Sequence, residues 1–471
     1  MSQTTKLAGL KGRLVMIGFG SIGKGVLPLI ERHLDVDLAR AVIITAEDAG
    51  AEIAKEYGVE FRVLPLTREN YRAVLSPLLG QGDFLLNLSV EVSSTALMQL
   101  AHEKGAFYLD TCVEPWPGGY TDPSLTPSQR SNYALRESAL ALKPKLAGGA
   151  TQVIAHGANP GLVSHFVKQA LLDIARDTGS RAAVPADRAG WARLAADLGV
   201  KVIHIAERDT QLAEHPKQRG EFVNTWSIDG FYSEGMQPAE LGWGSHEKAL
   251  PPDGLRHEFG CDAAIYLKRH GASTRVRTWT PLEGPFVGFL ITHNEAISIA
   301  DYFTHREGGK VAYRPTVHYA YHPCDDAVIS LHELAGKRWQ LQDSKRLMMD
   351  EIVSGIDELG VLLMGHAKNA YWYGSRLSIE EARRLVPHNN ATSLQVTVGV
   401  LAAMVWAIEN PKAGVVEADE LDHARILEIC APYLGEVVGA YGDWTPLQGR
   451  HFPFPEDVDS DPWQFRNFRV V

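Results

Sequence analysis

The sequence predicts an α/β chain: an N-terminal doubly wound parallel sheet, then a second α+β domain with a largely antiparallel sheet. Three observations carry this. The apolar run Leu14-Val15-Met16-Ile17 leads straight into Gly18-Phe19-Gly20-Ser21-Ile22-Gly23, a Gly-x-Gly-x-x-Gly spacing set between a strand pattern and a helix pattern. Up to about residue 172, short apolar strands alternate with helical periodicity, as in βαβ units. From about residue 162 the character changes, and strand-like runs separated by long Gly/Pro-containing loops take over.

The opening strand and glycine loop form a Rossmann dinucleotide-binding fingerprint. Gly18 allows the tight turn, Gly20 lets backbone approach a pyrophosphate, and Gly23 lets the helix pack on the strand. The helix pattern behind them (Ile22, Val26, Leu27, Ile30, Leu34) offers free N–H groups and a positive dipole end to phosphates. Pro28 lies inside this helix and should kink or shorten it. The second strand, Ala41-Val42-Ile43-Ile44-Thr45, precedes Ala46-Glu47-Asp48. Glu47 is placed to accept from a ribose 2′-OH and would repel a 2′-phosphate, which favours NAD over NADP.

Residues 50–57 read as a helix, 61–64 as the third strand and 68–79 as another helix. Strand 84–89 ends on Asn87 and Ser89, and strand 106–111 ends on Asp110 and Thr111. The carboxyl ends of such strands are where open α/β sheets bind ligands. A helix over 93–104 between them stops at Gly105. The turn-rich loop 112–119 carries Glu114 and Trp116, and strand 152–155 leads to Gly157-Ala158-Asn159-Pro160-Gly161. The candidate cofactor residues are therefore Gly18, Gly20, Ser21, Ile22, Gly23, Glu47, Asn87, Ser89, Asp110, Thr111 and Asn159.

These elements set a first domain at 1–161 and a second at 162–375. In the second, strands are expected at 201–205, 263–267, 286–291 and 311–318. Residues 378–386 and 391–409 read as helices, the latter apolar nearly all round, and the segment from Phe452 onward as an irregular tail. Three clusters combine acidic and aromatic residues: Glu207 with Asp209, then Trp226, Asp229, Tyr232 and Glu234, then His293 with Glu295. Patterning alone does not separate them from surface carboxylates and core aromatics.

The 471 residues are 45% apolar and 22% charged, ordinary for a globular enzyme, and carry a formal net charge of −11. That balance argues against a nucleic-acid partner and suits a cationic ligand. The four cysteines are scattered with no metal-ligand spacing, so no metal is expected. The N-terminus lacks a leader-like apolar core, and the apolar run 396–408 is too short to span a bilayer, so a cytoplasmic protein with no membrane partner is expected.

Across most of its length the chain resembles the bacterial homospermidine synthase family, relatives of saccharopine dehydrogenase and carboxynorspermidine dehydrogenase. The resemblance rests on residues 15–23, Asp110-Thr111-Cys112-Val113-Glu114-Pro115-Trp116, residues 157–165, Asn224-Thr225-Trp226-Ser227-Ile228-Asp229-Gly230, Thr292-His293-Asn294-Glu295 and residues 390–396. It implies an NAD-dependent aminobutyl transfer: putrescine is oxidised to an imine, ammonia leaves, a second putrescine adds, and the same nicotinamide reduces the product to homospermidine. Spermidine is the alternative donor, releasing diaminopropane. The resemblance also implies a homodimer built through the second domain, with segment 376–471 returning to the first.

A dication at neutral pH needs carboxylates, and deprotonating an alkylammonium there costs roughly 4–5 kcal/mol. On this reading Glu114, Glu234 and Asp229 bind substrate. His293, expected to titrate near neutrality, shuttles the proton with Glu207 or Glu295 beside it. Trp226 offers an indole face to the iminium cation, and Asn159 orients substrate. Three rivals remain open: an NADPH-dependent reductase of a carboxylated imine, which would need cleft arginines; a dehydrogenase with Cys112 as nucleophile; and a catalytically inert NAD-binding regulator.

Overall fold

The computed structural model describes residues 6–180, 183–451 and 453–470. Residues 1–5, which belong to the N-terminus expected to carry no leader, and Phe452, the expected start of the tail, lie outside the described residues.

The first sheet has seven strands, all parallel, in the spatial order Val415–Glu417, Gln152–Ile154, Phe107–Asp110, Phe84–Asn87, Leu14–Ile17, Val42–Thr45, Glu60–Val63. The winding direction reverses beside Leu14–Ile17, whose four residues are all buried, and the glycine loop leaves from that switch point. The seventh strand, drawn from late in the chain, has no counterpart in the sequence expectations. Its three residues carry too little pattern to be read alone. The helix expected over 68–79 is only Tyr71–Leu75. Thr67 and Asn70 turn their side chains onto each other's backbone N–H, and Pro77 ends the run.

Pro28 does not shorten its helix, which runs Ser21–His33. The amide of Asn389 donates to the Gly25 carbonyl at 3.0 Å, supplying a donor in the turn that the proline ring disturbs.

The second sheet has eleven strands. Its main path runs Gly254–Arg256, Ala264–His270, Pro238–Gly242, Thr316–His322, Val202–Asp209, Ile356–His366, Asn369–Ser378, Glu436–Gly442. Only the pair Thr316–His322 and Val202–Asp209 is parallel. The strand expected at 311–318 is two, Lys310–Tyr313 and Thr316–His322, divided where Pro315 lacks an N–H for the ladder. The long hairpin Ile356–His366 with Asn369–Ser378 was not foreseen.

The late helix Ala391–Glu409 lies between the sheets, along Ser21–His33 on one side and near Ile356–His366 on the other. Asn390 caps it, its side chain accepting from Ser393 N at 2.7 Å. Gly399 brings it onto the loop after Gln152–Ile154: a Cβ there would sit 2.1 Å from the Gly157 carbonyl oxygen. At 19 residues this helix is long and apolar enough to cross a membrane, longer than the run read from sequence, but most of it is buried inside the fold. The tail is not irregular throughout, nor does it pack on the first domain. Trp444, Trp463 and Phe468 cover Trp372 and Ala206 behind the second sheet, and Arg469–Val470 pairs with Arg275–Thr280.

The two sheets are tied by Arg136 of helix Asn132–Leu140. Its guanidinium pairs with Glu417 on the first sheet (2.7 Å) and with Asp301 beyond it (2.9 Å). Arg136→Met leaves Glu417 buried without its cation, so a loss of about 3–5 kcal/mol in unfolding free energy is expected by denaturant titration. A loss under about 1 kcal/mol would show that the pair carries no net stability.

Candidate functional site

A cavity of about 790 Å³ opens where the carboxyl ends of the first sheet's strands face the second sheet. Gly18, Gly20, Ser21, Ile22, Thr111 and Asn159 line it from the first sheet's side. Glu207, Trp226, Glu234, His293 and Tyr319 line it from the other.

The glycine loop fits a dinucleotide. Gly18 has φ +84°, and a Cβ there would lie 2.7 Å from the Leu88 carbonyl oxygen. A Cβ on Gly20 would meet nothing within 4 Å, so its backbone stands open to the cavity. The helix behind carries no acidic residue in its first turn and no side-chain cap, and its ladder begins with Lys24 N to Gly20 O. The N–H groups before that are free for an anion. Gly23 does not line the cavity; its missing Cβ makes room for Phe19 and the Gly18 carbonyl. Glu47 is exposed at the far end of the same cavity, with Thr45 and Ala46.

Ser89 lines the wall, while Asn87 lies behind it, accepting from Ser89 N and Oγ and donating to the Tyr108 hydroxyl at 3.3 Å. Asp110 is likewise internal. It accepts from Tyr108 and from Ala155 N, both at 2.7 Å, joining strand Phe107–Asp110 to the chain after Gln152–Ile154. Burial raises its carboxyl to about 6. Expected as cofactor contacts, these two instead support the residues that line the wall.

Glu207 sits on Val202–Asp209 and accepts from Asn159 Nδ2 at 2.9 Å and from the Tyr319 hydroxyl. Its carboxyl is pushed up to about 8, chiefly by burial, with the Asp209 charge adding to it. Glu114 accepts from Glu91 N at 3.1 Å, and burial, with Glu234 across the cavity, raises it to about 7. Trp226 is held by its indole N–H, which donates to the Tyr321 hydroxyl at 3.1 Å, and by the ring of Phe231. Asp229 is at the rim, exposed and paired with Lys345.

His293 departs from expectation. It caps helix Asn294–Tyr302, with Nε2 2.9 Å from Glu234 and Nδ1 3.2 Å from Glu295. Burial alone would lower its pKa, but the two carboxylates overcome that and hold it well above the usual histidine value. The ring is a cation across the neutral range, donating from both nitrogens. Both ring nitrogens face carboxylates, so the ring is held as a clamped cation and does not titrate near neutrality as the expected shuttle would. Glu295, fully buried, does not line the cavity but secures His293 from behind.

Cys112 lines the cavity, but burial and the adjacent Glu114 raise its thiol well above the ordinary range, so it stays protonated and is no nucleophile. No arginine is among the described residues lining the cavity, which leaves a carboxylated substrate without its fork. Sequence reasoning missed Tyr319 and Tyr321, stacked with centroids 5.0 Å apart, and Lys345. The alternation within Tyr319-Ala320-Tyr321 marks both tyrosines as sharing one face of a strand, which was the available signal.

Residues 14–153 match the saccharopine dehydrogenase NADP binding domain, and residues 157–443 the saccharopine dehydrogenase C-terminal domain. The chain is 59% identical over 467 residues to homospermidine synthase of Blastochloris viridis, covering 98% of both chains. It is 55% identical over 470 residues to the homospermidine synthase of Mesorhizobium japonicum, covering 98% of this chain and 97% of that one. The homospermidine synthase of Legionella pneumophila, solved in complex with NAD, superposes with a TM-score of 0.92 at 49% identity over 98% of each chain.

Proposed function

The chain belongs to the homospermidine synthase family, and from that premise we infer that it transfers an aminobutyl group from putrescine, or from spermidine, to a second putrescine, using NAD. The observation that carries the reading is the cavity itself: three carboxyl groups, a clamped imidazolium and an indole face converge on it beside a dinucleotide loop. Gly18, Gly20, Ser21 and Ile22 would hold NAD, which would supply the hydride acceptor for the amine-bearing carbon and the hydride donor for the coupled imine.

The residues divide the remaining work. Glu207, whose proton affinity lies near neutral pH, takes a proton from the substrate ammonium group, so that hydride can leave a carbon bearing a neutral amine. Asn159 and Tyr319 aim its carboxyl by donating to the same oxygen. Glu114 and Glu234 hold the ammonium groups. His293 fixes Glu234 in place through its Nε2; it is an orienting cation. Trp226 presents its face to the iminium that forms after hydride departure. This interaction is stronger in the transition state than in the ground state, because the protonated amine already has carboxylate partners.

The family reading also implies a homodimer assembled through the second domain and activity in the cytoplasm, with the chain divided at 161 and 375. Light scattering tests the dimer. The reaction is tested with purified protein, putrescine and NAD⁺, following polyamines by chromatography together with nicotinamide absorbance. Homospermidine with no lasting NADH is expected. Steady NADH without a triamine would make the protein an amine dehydrogenase, and a requirement for NADPH and an amino-carboxylate imine would move it to the carboxylated-imine branch.

A further inference from the structure

Behind Glu207, away from the cavity, two more carboxyl groups complete a buried row. Asp209 follows two residues along the same strand and so shares its face, and Asp357 lies directly opposite Asp209 on Ile356–His366. None of the three is more than 2% exposed. Arg208 offers them no partner on that face, its guanidinium reaching Glu283 and Asp325 instead.

The two aspartates are treated differently. Asp209 accepts from Thr225 Oγ1 at 2.7 Å, from Gln211 N at 2.8 Å and from Gln211 Nε2 at 3.1 Å, three donors that favour its ionised form against the burial that raises its carboxyl. Asp357 has no hydrogen-bond partner on either oxygen, although the Thr392 hydroxyl, 3.5 Å from Asp209, also approaches it. Buried beside an anion, with only the shared Thr392 hydroxyl to oppose it, Asp357 holds a proton.

The other titratable groups around Glu207 are Tyr319 and Tyr321 on Thr316–His322, Glu358 next to Asp357, and His293 at the head of its helix. Tyr319 and Tyr321 remain neutral, and His293, clamped by two carboxylates, lowers the Glu207 carboxyl by less than the Asp209 charge raises it.

We propose that Asp209 is a positioning residue for the transfer reaction: as a fixed anion beside Glu207, with Asp357 opposite it carrying the proton, it sets the proton affinity that lets Glu207 take a proton from a substrate ammonium near neutral pH. The step is a proton transfer only: R–NH₃⁺ and the Glu207 carboxylate become R–NH₂ and the carboxylic acid. The proposal rests on Glu207 being the base.

The test is the pH profile of kcat/KM for putrescine with saturating NAD⁺. Asp209→Asn is expected to move the acid limb down by about one pH unit, because a nearby like charge has been removed, and to lower the maximal kcat severalfold while NAD⁺ affinity by fluorescence titration stays put. Asp357→Asn exchanges a protonated carboxyl for a neutral amide of the same shape and should leave the limb in place. An unmoved limb in Asp209→Asn overturns the proposal, as does an equal shift in Asp357→Asn, which would make Asp357 the anion. Should Asp209→Asn not fold, Thr225→Val, which weakens the anion, is expected to shift the limb the same way by less; no shift overturns it. Full activity in Glu207→Gln would instead sink the reading of Glu207 on which this depends.

Discussion

Glu207→Gln is expected to lower the rate of homospermidine formation by about 10²–10⁴, the span of a lost general base. The substitution keeps the shape, the place on the strand and a partner for Asn159 and Tyr319, and removes the one capacity that matters. Stability should move the other way. Glu207 has a folded-state pKa of about 8, raised above the unfolded value of about 4.3. Its contribution is therefore fully present at low pH and is lost as pH rises from the unfolded value through about 8. Glutamine never ionises, so near pH 8 the variant should melt at or above the wild-type temperature, and the difference should close in acid. A variant that is inactive and also less stable at pH 8 would be reporting structural damage; one with unchanged kcat between pH 7 and 9 would move the base to another group.

Trp226→Ala should cost roughly 30-fold in kcat, the rate equivalent of about 2 kcal/mol of cation–π stabilisation in a water-excluded site. Trp226→Phe should keep a useful part of the rate, since a benzene face still carries the quadrupole. It does lose the indole donor to Tyr321, and with it some of the orientation. Tyr321→Phe separates the two effects: it removes the hydrogen bond and leaves the indole face, so its loss should be smaller than that of Trp226→Ala. Equal activity in the alanine and phenylalanine variants at Trp226 would end the cation–π assignment.

The fold was legible wherever a short stretch carries its own reason. Leu14–Ile17 and the glycines after it form a complete local statement of strand, turn and helix. Asn390 marks the start of Ala391–Glu409 because Ser393 follows it at capping distance. What escaped were elements whose reason lies elsewhere in the chain. Val415–Glu417 is a strand because the edge at Gln152–Ile154 is free to pair, and the tail is ordered because Trp463 and Phe468 find Trp372 behind the second sheet. Pro28 read as a fault because the side chain that braces the turn before it, Asn389, is far away in sequence.

The site divides in the same way. By itself the sequence determined which functional groups are present: the glycine loop, the carboxylates at 114, 207 and 234, the indole at 226 and the imidazole at 293. Only the tertiary structure decided their charge states and duties. His293 is a cation because Glu234, 59 residues earlier, reaches its other nitrogen. Glu207 is pushed up to about 8 because it is buried, with the Asp209 charge adding to it. Asp209 faces Asp357 because two strands pair in one register. Proton affinity is set by desolvation and by charges a few ångströms away, and those distances exist only once the sheets have closed on one another.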